Sequence, residues 1–153
     1  MTKVLFVCHG NICRSPMAEF IFRDMVKNEG LSDVFYAESA AVSAEELGNP
    51  VYPPAKRVLN SMGIDCSFKR ARQMTKADYE AFDLLLGMDK SNIKRMLNIC
   101  SGDPDQKIRL LLDYTERPRE VADPWYTGDF EITKRDIIDG CRALIDTLTD
   151  KEG

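Results

Sequence analysis

Short apolar runs alternate with helical patterns from one end of the chain to the other, and few architectures accept that order. Lys3 to Val7 is rich in valine, leucine and phenylalanine and is stopped at once by His9-Gly10-Asn11, which suits a strand buried on both faces. Ser15-Pro16 then opens a stretch in which Met17, Ala18, Ile21, Phe22 and Met25 recur at helical spacing, closed by Gly30. Val34 to Ala41 reads as a second strand and Pro54 to Met62 as a helix closed by Gly63. Phe82 to Met88 is a third buried strand, a helix follows over Lys90 to Leu97, and Ile108 to Leu112 is a fourth strand. The last helix carries Ile137, Ile138, Cys141, Leu144, Ile145 and Leu148 on one face, with Asp129 as candidate N-cap. Strands alternating with helices specify an α/β fold, a parallel sheet covered by helices on both faces. The polar stretch Tyr114 to Asp129, with Pro118 and Pro124, reads as a long loop, and a loop of that length in a compact domain is usually functional.

The 153 residues fit one domain, residues 1–153, long enough to bury a core without disulfides or metals. Lysine and arginine number 21 against 25 aspartates and glutamates, a net charge of −4, so neither nucleic acid nor an anionic membrane is recommended as a partner. A phosphorylated ligand would have to be attracted by a local site against that field. The five cysteines (Cys8, Cys13, Cys66, Cys100, Cys141) are scattered, and the N-terminal apolar run is too short for a secretory signal. Free thiols in a reducing cytoplasm are the expectation. No oligomeric state can be read from these features.

The loop after the first strand carries the chemistry. In open α/β sheets ligands bind beyond the carboxyl ends of strands, where a helix N-terminus offers unpaired N–H groups. There stand Cys8-His9-Gly10-Asn11-Ile12-Cys13-Arg14-Ser15, a cysteine and an arginine with five residues between them. The N–H groups of residues 9 to 14 can curl into a nest around a dianionic phosphate, with Arg14 closing the ring as a bidentate fork. Cys8 then aims its sulfur at phosphorus. The same N–H groups, the helix dipole and the guanidinium favour thiolate over thiol, the nucleophilic form. Gly10 and Asn11 are residue types that tolerate the left-handed backbone of a tight nest. Ser15 fits two roles, N-cap of the following helix or hydroxyl donor to the thiolate. A metal site is a poor fit, because His9 is the sole histidine and the spacings match no common zinc motif. The glycine patterns of kinase-type phosphate loops and dinucleotide loops are absent as well, so no cofactor is expected.

The string Cys8 to Pro16 resembles the low-molecular-weight protein tyrosine phosphatases, and the likeness runs nearly end to end. It continues through Ser39-Ala40-Ala41-Val42-Ser43, Gly48-Asn49-Pro50, Ala71-Arg72-Gln73-Met74-Thr75, Met88-Asp89-Lys90-Ser91-Asn92 and Asp123-Pro124-Trp125-Tyr126. The resemblance implies a three-layer fold, a four-stranded parallel sheet with helices on both faces and the phosphate loop after the first strand. It also implies hydrolysis of phosphotyrosine in a protein or peptide through a phosphocysteine. In that scheme Cys8 is the nucleophile, Arg14 binds phosphate and stabilises the transition state, and Ser15 helps hold the thiolate. His9, Gly10, Ile12 and Cys13 complete the loop, Asn11 keeps it in shape through a hydrogen bond to Ser39, and Asp89 supports its flank. Asp123 acts as general acid to the leaving phenolate and then as base to water. Trp125 and Tyr126 match an aromatic wall for the substrate ring, although two aromatics beside a proline can also simply pack on a sheet edge. Cys13 matches a thiol that forms a disulfide with the nucleophile under oxidant and so spares it irreversible oxidation.

Three positions depart from the family pattern. Glu45 stands on the cleft rim where eukaryotic relatives carry an aromatic, Phe68 where animal members have a histidine supporting the serine–asparagine network, and Trp125 where tyrosine is commoner. Two other functions compete. Arsenate reduction on this fold needs two further cysteines close in sequence, whereas Cys66 and Cys100 are 34 residues apart. A phosphate-binding module without turnover would require loss of Cys8, Arg14 or Asp123, and all three are present.

Overall fold

The structure, a computed structural model, describes residues 1–150. Four strands, β1 (Thr2–Cys8), β2 (Phe35–Ala41), β3 (Leu84–Gly87) and β4 (Ile108–Leu110), pair in the order β2-β1-β3-β4, and all three pairings are parallel. Parallel strands need crossovers, and the helices supply them: α1 (Arg14–Asn28), α2 (Pro53–Ser61), α3 (Lys76–Ala81) and α4 (Lys90–Cys100) lie between strands, with α5 (Pro124–Thr127) and α6 (Phe130–Asp150) after them. The expected three-layer α/β architecture is present.

Alternation along β1 divides the core into two. Val4, Phe6 and Cys8 join the buried cluster built from α1, α2 and α6, while Leu5 and Val7 join a second cluster with Tyr79 of α3 and Met96 of α4. Val4 to Val7 are each 0% exposed, which is why this strand reads as unbroken apolar sequence rather than as alternation. Phe6 and Phe22 meet edge to face at 5.4 Å, fixing α1 against the strand that precedes it.

Element boundaries depart from the sequence expectation for physical reasons. α1 begins at Arg14 with Cys13 at its N-cap and no side-chain cap bond, so Ser15 lies inside the first turn and is not the cap. α3 is a helix that hydrophobic spacing does not announce. Its signal is the pair Thr75 and Asp78, the aspartate accepting from the Thr75 N–H at 2.8 Å as half of a capping box. Phe82 follows α3 as its C-terminal flank, so the third strand starts at Leu84 rather than Phe82. The fourth strand is only Ile108–Leu110, because Leu111–Tyr114 winds into a 3₁₀ turn whose Leu111 and Leu112 are buried. α4 runs on to Cys100, where Ser101 leaves it in a left-handed conformation (φ 59°). Asp129 caps α6 as expected, accepting from the N–H groups of Glu131 at 2.9 Å and Ile132 at 3.3 Å. Among the described residues, no helix is long and apolar enough to cross a membrane.

Gly140 marks the tightest helix packing. A Cβ there would lie 2.6 Å from Leu111 Cγ and 3.0 Å from Leu112 Cδ2, and both leucines are fully buried. Alanine gains about 1 kcal/mol of helix propensity over glycine, but overpacking a close-packed core costs about 1–3 kcal/mol. Because the obstructing atom is a branch carbon, the steric term wins. Gly140→Ala is expected to lower the thermal midpoint by roughly 2–6 °C in a calorimetric scan; an increase would show that α6 can move away from the 3₁₀ turn.

Candidate active site

Because every strand runs the same way, the segments leaving β1, β2, β3 and β4 emerge on one edge of the sheet, and the cleft lies there. It has a volume of about 840 Å³ and is lined by Cys8, His9, Gly10, Ile12, Cys13 and Arg14 from the first loop. Glu45 and Glu46 line it after β2, Asp89 after β3, and Val121, Asp123, Trp125 and Tyr126 after β4. These include every cleft residue expected from the sequence. Asn11, Ser15 and Ser39 lie behind the lining and are 1%, 0% and 0% exposed.

The loop from Cys8 to Arg14 is held from outside by its carbonyls. Cys8 C=O accepts from Val42 N–H (3.0 Å), His9 C=O from Ser43 N–H (3.1 Å), Ile12 C=O from Tyr52 N–H (2.8 Å), and Cys13 C=O from Met17 N–H (3.1 Å). Ser43 Oγ adds a second bond to His9 C=O at 2.9 Å. In a trans peptide the next N–H points opposite to the C=O. Tying these carbonyls to the surrounding structure therefore turns the N–H groups of His9, Gly10, Cys13 and Arg14 the other way, as an anion nest requires. Asn11 takes the left-handed conformation (φ 60°) that the curl needs. Gly10 does not. Its role is space, since a Cβ there would press on Glu46 Cγ at 3.2 Å.

Polar side chains then fix the sulfur. Cys8 Sγ is the last side chain of β1, 3.0 Å from Ser15 Oγ and 3.4 Å from the Asn11 N–H. Asn11 Nδ2 donates to Ser15 Oγ (2.8 Å) and to Ser39 Oγ (2.9 Å), and its Oδ1 accepts from the Arg72 N–H (3.1 Å). The Asn11–Ser39 bond expected from the family resemblance is therefore present, and Ser15 acts on the sulfur rather than on a helix end.

Arg14 is 5% exposed and arrives already oriented. Its Nη2 donates to Asp89 Oδ2 at 2.9 Å and lies 3.5 Å from Asp123 Oδ2, while Nη1 donates to the Val121 carbonyl at 3.1 Å. Asp89 works at both ends, because its other oxygen caps α4 through the Asn92 N–H at 2.8 Å. Asp123 caps α5, accepting from the Trp125 N–H at 3.0 Å. The expected long loop thus contains a one-turn helix, with Asp123 as its cap. Trp125 rests on Tyr52 at 4.8 Å between centroids, and Tyr52 stacks on Phe130 at 6.3 Å. Tyr126 is 90% exposed, so these aromatics line the cleft mouth instead of packing on a sheet edge. Tyr52, Glu46 and Val121 were not legible as site residues, and only Tyr52, an aromatic beside the expected helix start at Pro54, carried any signal.

The other four thiols are buried. All five cysteines are free. Burial, then the neighbouring Cys8 and Asp123, push the Cys13 thiol up to about 12, and burial likewise raises Cys66, Cys100 and Cys141. Among the described residues, no three His, Cys, Asp or Glu side chains are grouped to hold a metal ion.

This geometry matches known proteins. The family model described as low molecular weight phosphotyrosine protein phosphatase covers residues 3–152. The chain belongs to that family. It is 39% identical over 150 residues to the low molecular weight protein-tyrosine-phosphatase YfkJ of Bacillus subtilis, covering 97% of this chain and 96% of that one. It is 40% identical to the human low molecular weight phosphotyrosine protein phosphatase, covering 94% of each. The crystal structure of YfkJ superposes with a TM-score of 0.94 at 38% identity, across 100% of this chain and 98% of that chain.

Against the family pattern, Glu45 forms a solvent-exposed contact with His9 Nε2 at 3.0 Å on the rim. Phe68 is 64% exposed and packs edge-on against Phe20, taking no part in the Ser39 network; the next residue, Lys69, does instead. A thiol ionises near 9.0 in the unfolded chain and near 12 at Cys13 in the fold. Its folded value is raised, so its stabilising contribution is complete below pH 9 and lost as pH climbs toward 12. Urea unfolding across that window is expected to show stability falling with pH, and Cys13→Ala to flatten part of the slope. At neutral pH iodoacetamide is expected to modify Cys8 and spare Cys13, read by peptide mass mapping; the reverse order would contradict this assignment.

Proposed function

We propose that this chain hydrolyses phosphotyrosine in a protein or peptide through a phosphocysteine, acting in a reducing cytoplasm where its thiols stay free. The observation that carries it is one sulfur, at the carboxyl end of the central strand, receiving Ser15 Oγ at 3.0 Å and the Asn11 N–H at 3.4 Å beneath Arg14 and Asp123. Hydroxyl and amide donors aimed at sulfur stabilise an anion there, and the N-terminus of α1 adds its partial positive charge.

The steps follow from position. Phosphate settles against the loop N–H groups, and Arg14 offers its guanidinium fork to two of the oxygens. The Cys8 thiolate forms a bond to phosphorus as the phosphorus–phenolate bond breaks, and Asp123 delivers its proton to the departing oxygen. Asp123, now a carboxylate, takes a proton from water, whose oxygen attacks phosphorus and expels the Cys8 thiolate. Inorganic phosphate leaves and the starting state returns. Arg14 and the N–H nest serve both transition states, since charge on the equatorial oxygens persists throughout. Trp125 and Tyr126 give the substrate ring two faces at the mouth, and the cleft depth they create suits an aryl phosphate better than the short side chain of phosphoserine.

Turnover of para-nitrophenyl phosphate tests this directly. Cys8→Ser is expected to abolish it, and Asp123→Ala to lower kcat by about 10²–10⁴-fold while leaving the burst of phosphoenzyme formation detectable with good leaving groups. Tight binding with no turnover in the native chain would instead favour a phosphate-reading module. Parallel assays with phosphotyrosine, phosphoserine and phosphoarginine peptides are expected to favour the first.

A further inference from the structure

The segment that brings Asp123 to the cleft does little to hold itself. Among the described residues, Glu116 to Glu120 pair with no other backbone group. Beyond Asp123, α5 is a single turn in which only Pro124 is buried. The hold comes from the two residues just before the acid. Val121 donates its N–H to the Met88 carbonyl at 2.8 Å, and its own carbonyl accepts from Arg14 Nη1 at 3.1 Å. Ala122 donates its N–H to Asp136 Oδ2 at 2.9 Å, and its carbonyl accepts from Thr133 Oγ1 at 2.8 Å. Both partners of Ala122 are side chains of α6, and no step above uses them. We infer that Thr133 and Asp136 are positioning residues for Asp123, clamping the peptide groups on both sides of Ala122 and so fixing where the acid's carboxyl points.

The two residues are suited to that task. Three apart on a helix, they share one face. Thr133 is fully buried, and its hydroxyl does not turn back to a carbonyl of its own helix, the usual outlet for a helical threonine, but crosses to Ala122. Asp136 divides its carboxylate. One oxygen takes the Ala122 N–H and the other takes Arg119 Nη2 at 3.0 Å, so a single side chain on α6 restrains the loop at two points before the acid.

The restraint reaches the chemistry through the peptide planes. Holding the N–H and the C=O of Ala122 fixes two successive planes, the second of which carries the Asp123 nitrogen. The bond from the Trp125 N–H occupies Asp123 Oδ1, leaving Oδ2, 3.5 Å from Arg14 Nη2, as the oxygen that faces the cleft. That cap bond fixes the carboxyl relative to its own backbone, so an error at Ala122 is carried straight to Oδ2. Proton transfer needs the acid within hydrogen-bond reach of the leaving oxygen, and a misplacement of about 1 Å costs on the order of 10²-fold. The inference rests on Asp123 being the general acid, and the experiment separates its failure from failure of that reading.

The ratio kcat/KM, which reports the steps up to phosphoenzyme formation, is measured for phenyl phosphate and para-nitrophenyl phosphate. Departing phenolate needs a proton, whereas para-nitrophenolate needs it far less. The chains are the native one, Thr133→Val, Thr133→Ser and Asp136→Ala, each also combined with Asp123→Ala. Thr133→Val is expected to lower kcat/KM roughly tenfold for phenyl phosphate but less than about threefold for para-nitrophenyl phosphate. Inhibition by inorganic phosphate should stay within about twofold, because the loop and Arg14 still receive it. Thr133→Ser keeps the hydroxyl and should restore the native ratio between the substrates. Asp136→Ala frees the Ala122 N–H and should repeat the selective loss; it carries the test should Thr133→Val fail to fold. In the Asp123→Ala background neither substitution should cost anything further, since the group being positioned is gone. No loss, an equal loss on both substrates, or the same loss persisting in that background overturns the inference alone. Native kcat/KM for phenyl phosphate in Asp123→Ala itself would overturn the acid reading and the inference with it.

Discussion

A peptide loop that binds an anion must keep its N–H groups unspent, and a buried loop must not leave its carbonyls orphaned. These demands conflict unless something outside the loop accepts the second burden. Here the segment after β2 does so. Val42, Ser43 and Tyr52 donate to the carbonyls of Cys8, His9 and Ile12, and the first turn of α1 takes that of Cys13. The peptide plane does the rest by holding the opposite N–H groups toward the cleft. Residues from Val42 to Tyr52 therefore matter to the site less for their side chains than for the amides they place along the outer side of a neighbouring loop.

The same division of labour governs charge. Arg14 is nearly fully buried, and burying a guanidinium without partners would be costly. Asp89 after β3 and the Val121 carbonyl after β4 satisfy it, so strands on the far side of β1 orient the group that faces phosphate. Asp89 is itself pinned by capping α4, and Asp123 by capping α5. Helix caps are thus reused as rigid mounts for carboxylates. On the opposite side, buried Glu19 with the half-exposed Arg23 and the largely covered Lys69 forms a second charge cluster, separated from the sulfur by neutral groups. The site lies between two charge clusters, one facing the ligand and one behind the sulfur.

The residues whose sequence signal misled are instructive. Serine before proline at a helix start is the usual cap pattern, yet the helix begins two residues earlier than that pattern implies, at Arg14, because the loop's final turn is already helical. Ser15 is released from capping to meet Cys8. Gly10 looked like a conformational requirement and is a steric one, whereas Asn11 takes the left-handed backbone. Lys69 carries no signal in the sequence, and only its contact with the Ser39 carbonyl of β2 draws it largely out of water.

Local sequence determined what depends on neighbours along the chain: the buried strand β1, the amphipathic faces of α1 and α6, the spacing from Cys8 to Arg14, and the aspartate that caps α6. It also named the chemical groups of the cleft, since Cys8, Arg14 and Asp123 are recognisable by type and by the resemblance of the motifs around them. Tertiary structure decided the strand order β2-β1-β3-β4, which brings positions 8, 14, 89 and 123 to one edge, and the meeting of Asn11, Ser15 and Ser39 behind the sulfur. It also ended β4 at Leu110, after which Leu111 and Leu112 are buried in a 3₁₀ turn. Those outcomes rest on contacts between residues tens of positions apart, whose energies appear only when the sheet has assembled, so no periodicity in the chain can encode them.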